Sequence, residues 1–140
     1  VLLWRAEALI ELGQQDQALH LINQIRTRAA NSLNLTGSYT SNNLVKEYVP
    51  GVNCTWTQDF ARKALRWERR LEFAMEGNRF FDLVRWGVAS ETLNTFYATE
   101  KTRRIYYSDA KFDHGIEEYC PVPLNQMNFS NGVYHQNNGY

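Results

Sequence analysis

Glu72 and Glu76 are a pair of carboxylates whose spacing invites a catalytic reading. Glycoside cleavage uses two carboxyl groups about 5 to 10 Å apart on opposite sides of the bond. Four residues apart on a helix, however, two side chains project from one face and cannot straddle a sugar ring, and nearby guanidinium groups favour the ionised form of both. The segment from Arg66 to Gly87 carries five Arg, four acids and five aromatics. Arg makes planar two-pronged bonds to carboxylates while laying its guanidinium on aromatic rings. Arg69, Glu72, Glu76, Arg79, Asp82 and Arg85 are therefore expected to form a structural ion-pair network, with no catalytic residue among them.

Tyr39, Tyr48 and Trp56 suggest different chemistry. They lie in a stretch rich in Asn, Ser and Thr. The apolar C–H face of a sugar packs on an aromatic ring, while amides and hydroxyls meet its hydroxyl groups, so these three rings are the candidate glycan contacts. Asp109, Asp113, Glu117 and Glu118 offer oxygen ligands with His114 among them, but their spacing matches no established calcium loop. Cys54 and Cys120 are too few for a disulfide framework and lack metal-ligand spacing, although they could pair in an oxidising compartment. There is no Gly-rich phosphate loop, no Gly-x-Ser-x-Gly elbow and no Cys-His pairing. No metal and no cofactor is expected.

The elements that must position these residues read as helices. Residues 2–12 repeat apolar positions at a period of 3.6, and Gly13 is placed to close that helix in the left-handed conformation. Asp16 is the expected N-cap of a second helix carrying Ala18, Leu19, Ile22 and Ile25. Together they form a tetratricopeptide-like pair over residues 1–30, with small residues where the helices approach. Residues 31–58 form a long loop insertion with a turn at Pro50-Gly51. Thr57 or Asp59 then caps a helix whose Phe60, Ala64, Trp67, Leu71 and Met75 make one apolar stripe, and further helices carry the chain to residue 98. Residues 99–140 are expected to be irregular. The predicted fold is mostly α, with long loops and no strand-based core.

The 140 residues balance 15 Lys+Arg against 15 Asp+Glu, which removes the general electrostatic case for nucleic acid or an anionic membrane as partner. With 44% apolar residues the chain can form one core, and no run approaches the roughly 20 apolar residues of a membrane helix. It opens inside a helical pattern without Met or a capping residue, and a lone repeat pair cannot bury both faces. Earlier repeats and any leader or lipid anchor are therefore expected upstream.

Three blocks in order resemble the SusD/RagB family of outer-membrane glycan-binding lipoproteins. The first runs from Arg5-Ala6-Glu7-Ala8-Leu9 to Asn23-Gln24-Ile25-Arg26-x-Arg28-Ala29, and the second from Arg66 to Gly87. The third joins Cys120-Pro121-Val122-Pro123 to the closing Gln136-Asn137-Asn138-Gly139-Tyr140, where Asn138 stands in place of the family's usual Pro. The resemblance implies the C-terminal region of a non-catalytic protein at the cell surface, lipid-anchored to the outer membrane. It would bind oligosaccharide or polysaccharide and deliver it to a TonB-dependent transporter. The signature residues would belong to its scaffold. The alternative is a tetratricopeptide scaffold that binds an extended peptide, with tandem repeats upstream.

Overall fold

The computed structural model describes residues 1–32 and 44–140. It forms two compact units, Val1–Glu76 and Gly77–Tyr140. Both are helical, and among the described residues the β-type pairing is an isolated bridge between Pro50 and Cys54.

In the first unit, α1 (Leu2–Glu11) and α2 (Gln15–Ala30) pack on each other and on α3 (Gln58–Glu72). The α1–α2 connection is closed as its glycine predicts. Gly13 sits at φ +74°, its N–H donates to the Ile10 carbonyl at 3.1 Å, and the Gln14 N–H reaches back to Leu9 at 2.8 Å. This 6→1 and 5→2 arrangement needs a left-handed residue that only glycine adopts without strain. The second helix departs slightly from expectation. Gln14 occupies the N-cap without a side-chain bond, and Asp16 lies in the first turn, where its charge faces the positive end of the helix dipole.

Leu3, Ala6 and Ile10 of α1, Ala18, Leu21, Ile22 and Ile25 of α2, and Ala61 and Leu65 of α3 form the core. Ala6, Ala18 and Ala61 are fully buried, so three methyl-sized side chains mark where the helices come closest. Each large aliphatic residue buried here contributes about 1.5–3 kcal/mol relative to exposure.

Thr57 caps α3 as expected, its Oγ1 accepting from the Phe60 N–H at 3.2 Å. The buried face of α3 differs from the predicted stripe. It runs through Ala61, Ala64, Leu65, Glu68 and Arg69, while Trp67 and Leu71 are more than half exposed. Small residues let α3 approach its neighbours on that side, and the larger apolar residues are left on the flank. The helix also stops at Glu72. Met75 takes φ +68°, so the chain has already turned when it reaches Glu76.

The second unit contains α4 (Asn78–Arg85), α5 (Ala89–Glu100), a 3₁₀ turn (Ile105–Tyr107) and α6 (Leu124–Phe129). Its small core is Leu83, Ala89 and Phe112, with Val84, Val88, Leu93 and Tyr97 packed around it. Asn94 of α5 fixes the segment carrying Phe112: its Nδ2 donates to the Phe112 carbonyl and its Oδ1 accepts from the Phe112 N–H, both at 2.9 Å.

The region expected to be irregular is more ordered than its composition suggests. Pro123 serves as the N-cap of α6, a position that tolerates its fixed φ and missing donor. The closing residues fold back on the proline segment. Gln136 Oε1 accepts from Val122 N–H at 2.7 Å and its Nε2 donates to the Val122 carbonyl at 3.0 Å. Asn137 donates to Cys120 at 2.6 Å, and the Tyr140 hydroxyl donates to the Tyr119 carbonyl at 3.0 Å. Gly139, at φ +89°, lets the backbone pass so close to Ile116 that a Cβ there would lie 2.6 Å from Ile116 Cγ2. Among the described residues, no helix is long and apolar enough to cross a membrane.

Candidate functional site

The segment 44–57 lies along α2 and is held by polar side chains. Asn23 Nδ2 donates to the Tyr48 carbonyl and its Oδ1 accepts from the Tyr48 N–H, each at 2.9 Å. Arg26 Nε donates to the Lys46 carbonyl, and the Thr27 hydroxyl donates to Glu47. Within the segment, Asn53 bonds the Val49 N–H and the Glu47 carbonyl, both at 2.8 Å, bracing the turn at Pro50-Gly51.

Tyr48 and Trp56 are brought together, with ring centroids 5.6 Å apart, and Phe60 completes a three-ring cluster at 5.8 and 5.7 Å. Both rings are half-buried and packed on the helical core. Trp56 Nε1 donates to the Gln15 carbonyl at 2.9 Å. Tyr48 lies under the Arg26 guanidinium, 4.3 Å from the ring centroid, and its hydroxyl donates to Glu68 Oε1 at 3.3 Å. Burial, and then the Glu68 charge, push the Tyr48 phenol above its ordinary range. In this arrangement the two rings anchor the segment. Tyr39 lies outside the described residues.

Beside that anchor, His20, Asn23, Gln24 and Thr27 of α2 and Glu47 line a surface groove of about 390 Å³. The His20 imidazole, the Gln24 carboxamide and the Glu47 carboxylate supply donors and acceptors for hydroxyl groups, while the Asn23 amide is engaged by the Tyr48 backbone and the Thr27 hydroxyl by Glu47. The sequence reading passed over these residues. Their one signal is a run of polar side chains at i, i+3, i+4 and i+7 along α2, which looks like any solvated helix face.

The charged residues of the signature segment find partners both inside and outside it. Glu68 is buried and pairs with Arg26 of α2, and both oxygens of Glu72 accept from a single Arg28 nitrogen, Nη2. Arg69 is buried, its guanidinium 5.1 Å from the Phe73 ring and 5.9 Å from that of Trp4. Glu76 is exposed beyond the end of α3 and has no ion-pair partner among the described residues. The expectation that Glu72 and Glu76 share one helix face is therefore corrected by the position of the helix end. In the second unit, Asp82 is buried and pairs with Arg85 at 3.1 Å, while Arg79 and Arg85 both lie over the Trp86 ring at 5.8 and 5.5 Å.

The acidic segment organises its own backbone. Glu117 accepts from the Asp113 N–H, Glu118 accepts from the Gly115 N–H at 2.7 Å, and His114 Nδ1 is 2.7 Å from Glu118. Among the described residues, no group of three or more His, Cys, Asp and Glu side chains is arranged to hold a metal ion. Cys54 and Cys120 are free thiols.

The model of the SusD family matches residues 1–140. The chain is similar to SusD-like protein P38 of Formosa agariphila, with 37% identity over 106 residues. The matched stretch covers 76% of this chain and 19% of that relative, so the chain spans a small part of the relative's length.

Proposed function

Because the chain belongs to the SusD/RagB family, we propose that it serves carbohydrate binding at the outer-membrane surface, without catalysis. In this role it contributes to presenting oligosaccharide to a TonB-dependent transporter. The observation that carries the reading is the family match along the whole chain. The partnering of the acids adds support. Glu68 and Glu72 are each engaged by an arginine of α2, an arrangement suited to holding helices together and unlike the opposed carboxyl pair of a glycosidase.

The groove lined by His20, Gln24, Thr27 and Glu47 offers polar groups that could meet sugar hydroxyls. Tyr48 and Trp56 hold the segment that forms one of its walls. Titration calorimetry against a panel of neutral and acidic oligosaccharides tests the reading. We expect micromolar to millimolar binding of at least one member, with no release of reducing ends on prolonged incubation. Absence of binding across the panel overturns the carbohydrate role, and release of reducing ends overturns its non-catalytic character.

A further inference from the structure

In the second unit, a row of rings leads from the core to the surface. Tyr97 of α5 packs against the Leu83, Ala89 and Phe112 cluster. Its ring is 5.8 Å from that of Tyr107, which also meets the edge of Phe96 at 5.9 Å. Tyr107 in turn packs against Tyr106, the rings tilted by 43° with centroids 4.7 Å apart. Tyr106 ends the row and is 71% exposed, and Phe96 beside it is nearly half exposed. Tyr106 and Tyr107 both belong to the 3₁₀ turn Ile105–Tyr107. A ring wedged by its neighbours has already lost the rotamer freedom that ligand binding otherwise removes, so it is a preorganised platform.

The charges around the platform are unbalanced. Between residues 100 and 107, Lys101, Arg103 and Arg104 stand against a single carboxylate, that of Glu100. Glu100 is buried, and both arginines lean on it, Arg103 at 3.6 Å and Arg104 at 3.3 Å. Both arginine side chains nevertheless remain more than half exposed. Five N–H donors on each guanidinium exceed what one shared carboxylate can take up. The Tyr106 side chain, and after it Glu100, hold the Arg104 guanidinium above its ordinary value, which ties the cation to the edge of the outermost ring.

We propose that Phe96, Tyr106 and Tyr107, with Arg103 and Arg104, bind an acidic sugar. The C–H face of a uronic-acid pyranose rests on Tyr106, and its carboxylate meets the guanidinium pair. Planar two-pronged pairing suits a carboxylate, and Arg103 and Arg104 share the one Glu100 carboxylate while remaining more than half exposed. This assignment rests on the carbohydrate reading above and narrows it to a ligand class and a place.

Calorimetry of the chain with tetragalacturonate, its methyl-esterified form and a neutral maltooligosaccharide tests it. The acid form should bind, the ester and the neutral sugar at least tenfold more weakly, and added salt should weaken the acid form selectively. Tyr106→Ala should reduce affinity about tenfold, the scale of one aromatic contact. Arg103→Gln with Arg104→Gln should abolish the preference for the acid. Circular dichroism should show unchanged melting for Tyr106→Ala, whose side chain is largely exposed, whereas the double arginine variant strands the buried Glu100 carboxylate and should melt lower while remaining folded. If tetragalacturonate binds and Tyr106→Ala has no effect, or if acid and ester bind equally, the acidic-sugar site is overturned while the carbohydrate role stands. If no oligosaccharide binds, both fall.

Discussion

Asn23 and Tyr48, 25 residues apart, are joined through both polar groups of the Tyr48 backbone, with the Asn23 amide supplying one donor and one acceptor at 2.9 Å each. The geometry imitates one rung of an antiparallel ladder, with a side chain replacing the second strand. It recurs between Asn94 and Phe112 and between Gln136 and Val122. In each case a segment with no regular secondary structure of its own is gripped through both backbone groups of one residue.

The first prediction follows from that pairing. Asn23→Ala removes two hydrogen bonds and leaves two backbone groups to find other partners, so it should cost roughly 1–3 kcal/mol. Asn23→Asp should cost as much or more, because the donor is replaced by a charge facing the Tyr48 carbonyl. Chemical denaturation measures the loss. Amide exchange at Tyr48 should accelerate in both variants, and unchanged exchange would show that other contacts hold the segment.

Glu68 should be among the charged side chains most sensitive to removal. Glu68→Ala leaves the Arg26 guanidinium, itself largely buried, without its carboxylate, and breaking such a pair costs on the order of 3 kcal/mol. Arg26→Met in the same chain should recover much of that loss by removing the stranded charge. A result in which the double variant is no more stable than Glu68→Ala would refute the pairing as the source.

The same site has a pH signature. Tyr48 is raised in the folded chain, so its contribution to stability is complete below its ordinary value of 10.0 and is lost as pH rises through the raised value. In Glu68→Ala, Tyr48 should titrate lower than in the parent, yet still above its ordinary value, because burial is the larger cause. Absorbance of the tyrosinate against pH reads this directly.

Gly139→Ala should destabilise the tail by about 1–3 kcal/mol, through a strained left-handed φ and a contact that the Ile116 side chain must move to relieve. Adding Ile116→Ala should relieve the clash and leave the backbone strain. Differential scanning calorimetry of the single and double variants separates the two terms. Equal melting of Gly139→Ala and parent would mean that the tail does not pack as described.

Ile22→Ala and Trp67→Ala test which face of each helix is inside. Ile22 is fully buried, so its truncation should cost about 2–5 kcal/mol. Trp67 is more than half exposed, with Arg70 over its ring at 5.1 Å, so losing it should cost under about 1 kcal/mol. The reverse order would restore the stripe expected from the sequence.

Local chemistry made the helices readable. Gly13 and Thr57 act through bonds to residues three to five positions away, and the α1 and α2 cores follow from apolar spacing alone. The inner face of α3 was not readable. Apolar spacing promoted Trp67 and Leu71, whereas close approach of the helices selected Ala61 and Ala64 and drew Glu68 inside with a partner 42 residues earlier. Tyr48 and Trp56 were legible as aromatic residues that either meet a ligand or anchor a polar loop to the core, but not which of the two, because nothing local specifies which way a loop ring turns. The amides were the least legible. Asn and Gln are common in turns, and a composition reading cannot distinguish one exposed to water from one that binds a remote backbone. The family's closing motif gained a physical meaning only in three dimensions, as the strap over Cys120 to Val122.

The three amide pairings distribute mutational tolerance unevenly. Tyr48, Phe112 and Val122 each contribute only an N–H and a carbonyl to the bond that pins them, which any residue except proline could supply. The obligation falls on Asn23, Asn94 and Gln136. Neighbouring side chains that point to solvent can change while the path of the segment stays put, whereas Tyr48 and Phe112 are held additionally by their own rings, packed on the two cores.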